Sequence, residues 1–112
     1  MVEDKTTANP SSANLSRSEL TTEEKLFSET ALISWLELQR FFAQGKVMWV
    51  AKDLDLVVVA NLFAKDRTAE LAPLLESLQI AAASNDQARR WYDNQEQLWS
   101  VVVAPFVLVQ EA

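Results

Sequence analysis

The 112-residue chain has no cysteine, no histidine, one glycine and three prolines. Without cysteine or histidine there is no thiolate nucleophile, no disulfide framework, no nitrogen or sulfur zinc site and no imidazole shuttle titrating near neutrality. A single glycine, Gly45, cannot build the multi-glycine loops that press backbone amides against phosphates, so neither a P-loop nor a dinucleotide fingerprint is present. No apolar run approaches the roughly twenty residues a membrane helix needs. The start, Met1-Val2-Glu3-Asp4, is acidic where a secretory signal is basic and then apolar, so the expected compartment is the cytosol.

What is there is a small acidic chain, 16 acidic against 10 basic side chains for a net charge of -6, with 49% apolar residues to fill one core. Residues 1–17 are rich in Thr, Ser, Asn and charge and read as a disordered tail; residues 18–112 read as one globular domain.

Three capping-box patterns mark helix starts: Thr21 with Glu24, Ser34 with Glu37, and Ser84 with Gln87. The first opens a helix to about Ala31 with Leu26 and Phe27 inward. The second opens Trp35–Gln44, stopped by Gly45 in a left-handed conformation. Lys46–Ala51 is a short apolar run and reads as a strand. Asp53 or Asp55 caps a helix in which Leu56, Val59, Ala60 and Phe63 repeat at helical spacing, and Asp66 or Thr68 begins another carrying Leu71, Leu74, Leu75 and Leu78. Pro73 makes that helix late or irregular at its start.

Gln79–Ala83 reads as a strand and Ser84–Gln95 as a helix burying Ala88, Trp91 and Tyr92. Trp99–Val109 reads as a strand that Pro105 divides into Trp99–Val103 and Phe106–Val109. The expected fold is α+β: a small antiparallel sheet of about three strands with four to five helices, wired like a winged helix.

The segments Ile33–Ala43, Leu54–Ala60 and Leu98–Gln110 together resemble an uncharacterised bacterial family of small acidic proteins, a domain-of-unknown-function family. The resemblance spans roughly residues 20–111 and implies no substrate, cofactor or catalytic residue. Phe106 stands where a tryptophan is more usual in that family.

Few side chains suggest chemistry. Asp53 and Asp55 could offer hard oxygen ligands to Mg²⁺, but a helix cap with a first-turn carboxylate uses the same residues and is the simpler role. Glu37 and Arg40 lie beside the aromatic face of Trp35 and Phe41; Arg40 suits an ion pair or a place across an aromatic ring. Arg67, Arg89 and Arg90, the last two followed by Trp91 and Tyr92, are the basic groups a nucleic-acid surface would use, yet Asp86, Asp93 and Glu96 surround the pair and the chain is acidic. Of Trp35, Trp49, Trp91 and Trp99, any that is exposed marks a contact surface. No catalytic residue, metal or cofactor is expected.

The leading functional expectation is a non-catalytic interaction module, or a homodimer, using Arg40, Arg89, Arg90, Phe106, Val107 and Val109, with the last strand as an open edge. The alternatives are a nucleic-acid-binding domain and, last, a metal-dependent enzyme using Asp53 and Asp55.

Overall fold

The computed structural model describes residues 21–112; the expected tail and residues 18–20 lie outside the described residues. The elements are α1 (Thr22–Glu29), β1 (Ala31–Ser34), α2 (Trp35–Ala43), β2 (Val47–Val50), α3 (Leu56–Ala64), α4 (Thr68–Glu76), β3 (Ile80–Ala82), α5 (Asn85–Asp93), β4 (Gln97–Val103) and β5 (Phe106–Glu111). The protein is α+β, and its described residues form five helices and one five-stranded sheet in the order β1-β4-β5-β2-β3. The sheet is mixed: β5 runs antiparallel to β4 but parallel to β2, and β1 and β3 close the edges antiparallel to β4 and β2.

The expected sheet of about three antiparallel strands is therefore too small. One missing strand is β1, four residues that the helix signal at Ser34 had hidden. The other comes from the expected division at Pro105, which makes β4 and β5 a hairpin with Val103 opposite Phe106 and a cis Ala104–Pro105 peptide in its turn. The helix–helix–strand order that suggested a winged helix is present, but it feeds a sheet covered on both faces, and the likeness does not extend that far.

Alternation along the strands decides which helix covers which face. In β5, Leu108 packs with Leu26, Leu56, Val59, Ala60 and Leu71, which come from α1, α3 and α4. Its neighbours Val107 and Val109 point the other way, onto Trp35 and Leu38 of α2 and Trp91 of α5. Three helices thus lie on one face and two on the other. β5 is buried between them, as a strand with consecutive apolar residues requires.

Helix starts follow their caps. The Thr21–Glu24 and Ser84–Gln87 boxes are formed, with bonds of 2.9–3.1 Å in the first and 2.9–3.0 Å in the second. Ser34 occupies the N-cap of α2, but its side chain makes no capping bond: the residue is also the last of β1. The N-cap of α4 is Arg67, again without a side-chain bond, and the helix runs through Pro73 without interruption.

Helix ends share one device. After α2, α3, α4 and α5 the second residue beyond the helix has positive φ: Gly45, Asp66, Leu78 and Gln95, at 73°, 55°, 62° and 53°. The following amide then reaches back to a carbonyl in the last turn, Lys46 to Phe41, Arg67 to Leu62, Gln79 to Leu74 and Glu96 to Trp91, each at 2.9 Å. This is the Schellman arrangement, which satisfies orphan carbonyls and turns the chain sharply. Only one of the four positions is glycine, so three side chains occupy a conformation that disfavours them.

Candidate functional site

The face carrying three helices does not close. Where the end of α1 meets the start of α3, a groove of about 580 Å³ opens between Phe27, Thr30, Leu54, Val57, Trp99 and Gln110. A second hollow of about 390 Å³, lined by Glu23, Glu24, Phe27, Asp55, Val57 and Val58, adjoins it through the shared Phe27, Asp55 and Val57. Phe27 is 71% exposed and Trp99 40%, a large exposure for side chains that gain so much from burial.

Each wall has a local cause. Phe27 lies three and four residues beyond Glu24 and Glu23, so it shares the polar side of its helix. The inward position of α1 goes to Leu26, and the expectation that both turned inward is corrected for Phe27. Trp99 lies opposite Gln110 on the ladder, and the Gln110 amide nitrogen donates to the carbonyls of Ala51 and Leu54 at 2.8 and 2.7 Å. That side chain pins the loop leading to α3 and fixes the groove floor.

Asp55 caps α3: one carboxylate oxygen accepts from the amides of Val57 and Val58 at 2.9 and 3.3 Å. Asp53 is exposed in the preceding turn. Asp55 takes the capping role, whereas Asp53 precedes the helix and is not in its first turn; among the described residues no group of three acidic side chains converges.

The remaining sequence-picked residues are dispersed. Arg40 is exposed with its guanidinium 4.9 Å from the Phe41 ring centroid. Arg89 faces Asp86 at 3.9 Å and Arg67 faces Glu70 at 2.6 Å. Arg90 pairs with Glu111, whose carboxylate also accepts from the Trp91 indole at 2.9 Å. Burial works against ionisation of Glu111. The bonds from Trp91 and Arg90, with the charges of Arg90 and Lys52, outweigh it and hold this carboxyl below the ordinary glutamate range.

Phe106, Val107 and Val109 do not form an edge. β5 is the central strand, Val107 and Val109 are 3% and 0% exposed, and Phe106 packs edge-on against Phe63 at 5.8 Å. The parallel partner β2 covers the side that sequence left open. Tyr92, expected inside, is half exposed, because α5 turns Trp91 to the sheet and the next residue away from it.

With this geometry in place, comparison with known proteins is informative. The model of a family described as a protein of unknown function, DUF2288, matches residues 21–111. The chain belongs to that family. The DUF2288 chain is also similar to the NMR solution structure of PA1075 from Pseudomonas aeruginosa, at 41% identity and a TM-score of 0.72, over 85% of this chain and 89% of that one. No curated protein matches it. Neither likeness brings an assigned activity to the DUF2288 domain.

The surface of the domain is uneven. Besides Phe27 and Trp99, the exposed large apolar side chains include Leu32, Leu36 and Val102, at 44%, 54% and 58%. Leu32 lies in β1 and pairs across the ladder with Trp99; Leu36 and Val102 line a shallow hollow with Ile33 on the other face. All surround the β1 side of the sheet. Sequence periodicity missed them because a four-residue strand between two helices leaves no repeat to read. The expectation that an exposed tryptophan marks a contact surface points to Trp99.

Proposed function

We propose that the chain is a non-catalytic interaction module of the cytosol whose contact surface is the outer edge of β1, and that its partner is a second copy. The Trp35 amide donates to the Glu96 carbonyl at 2.9 Å, which sets the ladder phase: Ala31 and Ile33 turn their backbone groups to β4, and Leu32 and Ser34 turn theirs outward. An antiparallel pairing centred on Ile33 would place Leu32 of each copy opposite Ser34 of the other and satisfy the outward groups on both sides. Such a pairing is isologous and closes on itself.

The observation that carries this reading is the absence of protection. Apart from its shortness, four residues, Ala31–Ser34 carries none of the devices that blunt a sheet edge, having no lysine, no proline and no charge, and exposed Leu32, Leu36 and Val102 flank it on both faces. Sedimentation equilibrium tests it: the parent chain is expected to dimerise at micromolar concentration, and Leu32→Lys to sediment as a folded monomer. A parent that stays monomeric at high concentration overturns the proposal.

A further inference from the structure

The paired hollows between α1 and α3 adjoin β1 through Trp99, the cross-strand partner of Leu32, but none of Ala31–Ser34 lines them, and their chemistry is one-sided. Their floor is apolar, made by Phe27, Leu54, Val57 and Trp99, while Glu23, Glu24 and Asp55 stand along the rim, and among the described residues no lysine or arginine lines either hollow. None of the three carboxylates forms an ion pair with a described residue, although Arg67, Arg89 and Arg90 each have a carboxylate partner. The Glu24 carboxyl is held below its ordinary range by its bonds to the Thr21 amide and hydroxyl, so it stays charged to more acidic pH.

We infer that this trough is a docking site for a cationic amphipathic segment of a partner protein, one that lays large apolar side chains on Phe27 and Trp99 while its lysines or arginines meet Glu23, Glu24 and Asp55. Charge complementarity selects this occupant. A second copy would bring the same three carboxylates against themselves across a two-fold axis, with no basic group of the trough to offset them. An acidic segment would meet the same repulsion. A purely apolar chain would leave the carboxylate rim desolvated without a partner.

The trough is preformed. Asp55 is spent as the cap of α3 through one oxygen, the Gln110 amide fixes the loop under Leu54, and Phe27 sits on a helix turn whose end is closed by the Thr30 hydroxyl donating to the Leu26 carbonyl at 2.7 Å. Little reorganisation is needed for docking, which leaves more of the contact energy for binding.

The test titrates the full isotope-labelled chain with three synthetic peptides: an amphipathic Leu/Lys helix, the same peptide with every Leu replaced by Ser, and the same peptide with every Lys replaced by Glu. The Leu/Lys peptide is expected to saturate and to shift the Trp99 indole and the Val57 and Val58 amides. Phe27→Ser, at an exposed position, is expected to weaken binding by about tenfold or more, as loss of an aromatic anchor does. Val102→Ser, on the far face, should leave it unchanged.

Equal binding of the Ser/Lys peptide would mean attraction by net charge alone and overturns the site, as does unaltered affinity in Phe27→Ser or a shift map centred on α2 and α5. Binding of the Leu/Glu peptide overturns the charge argument. Phe27 lies outside the β1 edge and Leu32 does not line either hollow, so failure of this site and failure of β1 pairing are read separately by Phe27→Ser and Leu32→Lys.

Discussion

On one face of the sheet two helices bring Trp35 within 5.2 Å of Trp91 and 5.4 Å of Phe42, ring against ring, and leave nothing of Trp91 exposed. On the other, three helices carry mainly aliphatic side chains onto the sheet and still leave Phe27 and Trp99 in the open. Beside β1 the two-helix face also leaves Leu36 and Val102 exposed, so the contrast lies in how each interior is filled. Trp35 and Trp91 fill the gap between α2 and α5 with large rings, whereas on the other face leucines and valines of α1, α3 and α4 pack with one another and with the strands.

The widest separation between the two faces should come from their tryptophans. Trp91→Ala is expected to cost about 3–5 kcal/mol in urea unfolding, enough to threaten a fold of ordinary stability, through the void left between α2, α5 and β5. Trp99→Ala should cost about 1 kcal/mol or less, since its ring already meets solvent. Similar losses at both positions would erase the distinction between a closed and an open face.

Next in size is the tie beneath the open face. Gln110→Ala removes donors to the Ala51 and Leu54 carbonyls and is expected to cost about 1–3 kcal/mol, with faster amide exchange at Leu54. A third substitution concerns the clasp on the closed face. Glu111→Gln should cost about 1 kcal/mol or less at neutral pH, because the Arg90 partner is half exposed.

The folded-state pKa of Glu111 is lowered, so its contribution is full above the unfolded glutamate value of about 4.3 and is lost as pH falls through the lower folded value. Urea midpoints of parent and variant should therefore converge in acid; a gap that persists there would assign the effect to packing.

The smallest expected change is a gain. Leu78 is 69% exposed at a φ of 62°, and Leu78→Gly should stabilise by up to about 1 kcal/mol in the same assay.

What was legible in sequence follows from range. Local signals told the truth at Thr21 and Ser84, where hydroxyl and side-chain partner lie three residues apart, and along Leu56, Val59 and Ala60, whose spacing alone puts them on one face. Pro105 likewise announced the break between β4 and β5. The same local logic failed at Ser34, where one residue ends a strand and begins a helix, so a helix signal concealed β1.

Nothing local could show that β2 lies parallel to β5, since Val47 and Val107 are brought together only by the completed fold. That pairing is why Val107 and Val109 became core and why the open edge moved to β1. The trough was hidden for a related reason. Phe27 reads as core by composition, and only its position on the same helix side as Glu23 and Glu24 hints otherwise.

The central place of β5 also bears on how the protein comes to be made. Every other strand precedes it in the chain, yet β1–β4 on one side and β2–β3 on the other touch in the sheet only through it. A growing polypeptide can pair the members of each half as they emerge, but the halves stay apart until Phe106–Glu111 has been synthesised. Until then Trp35 and Trp91 lack Val107 and Val109, and Leu26, Leu56 and Leu71 lack Leu108. Assembly is deferred to one late event, and a nascent chain stalled before it would present two unfinished sheets to whatever binds exposed apolar surface in the cell.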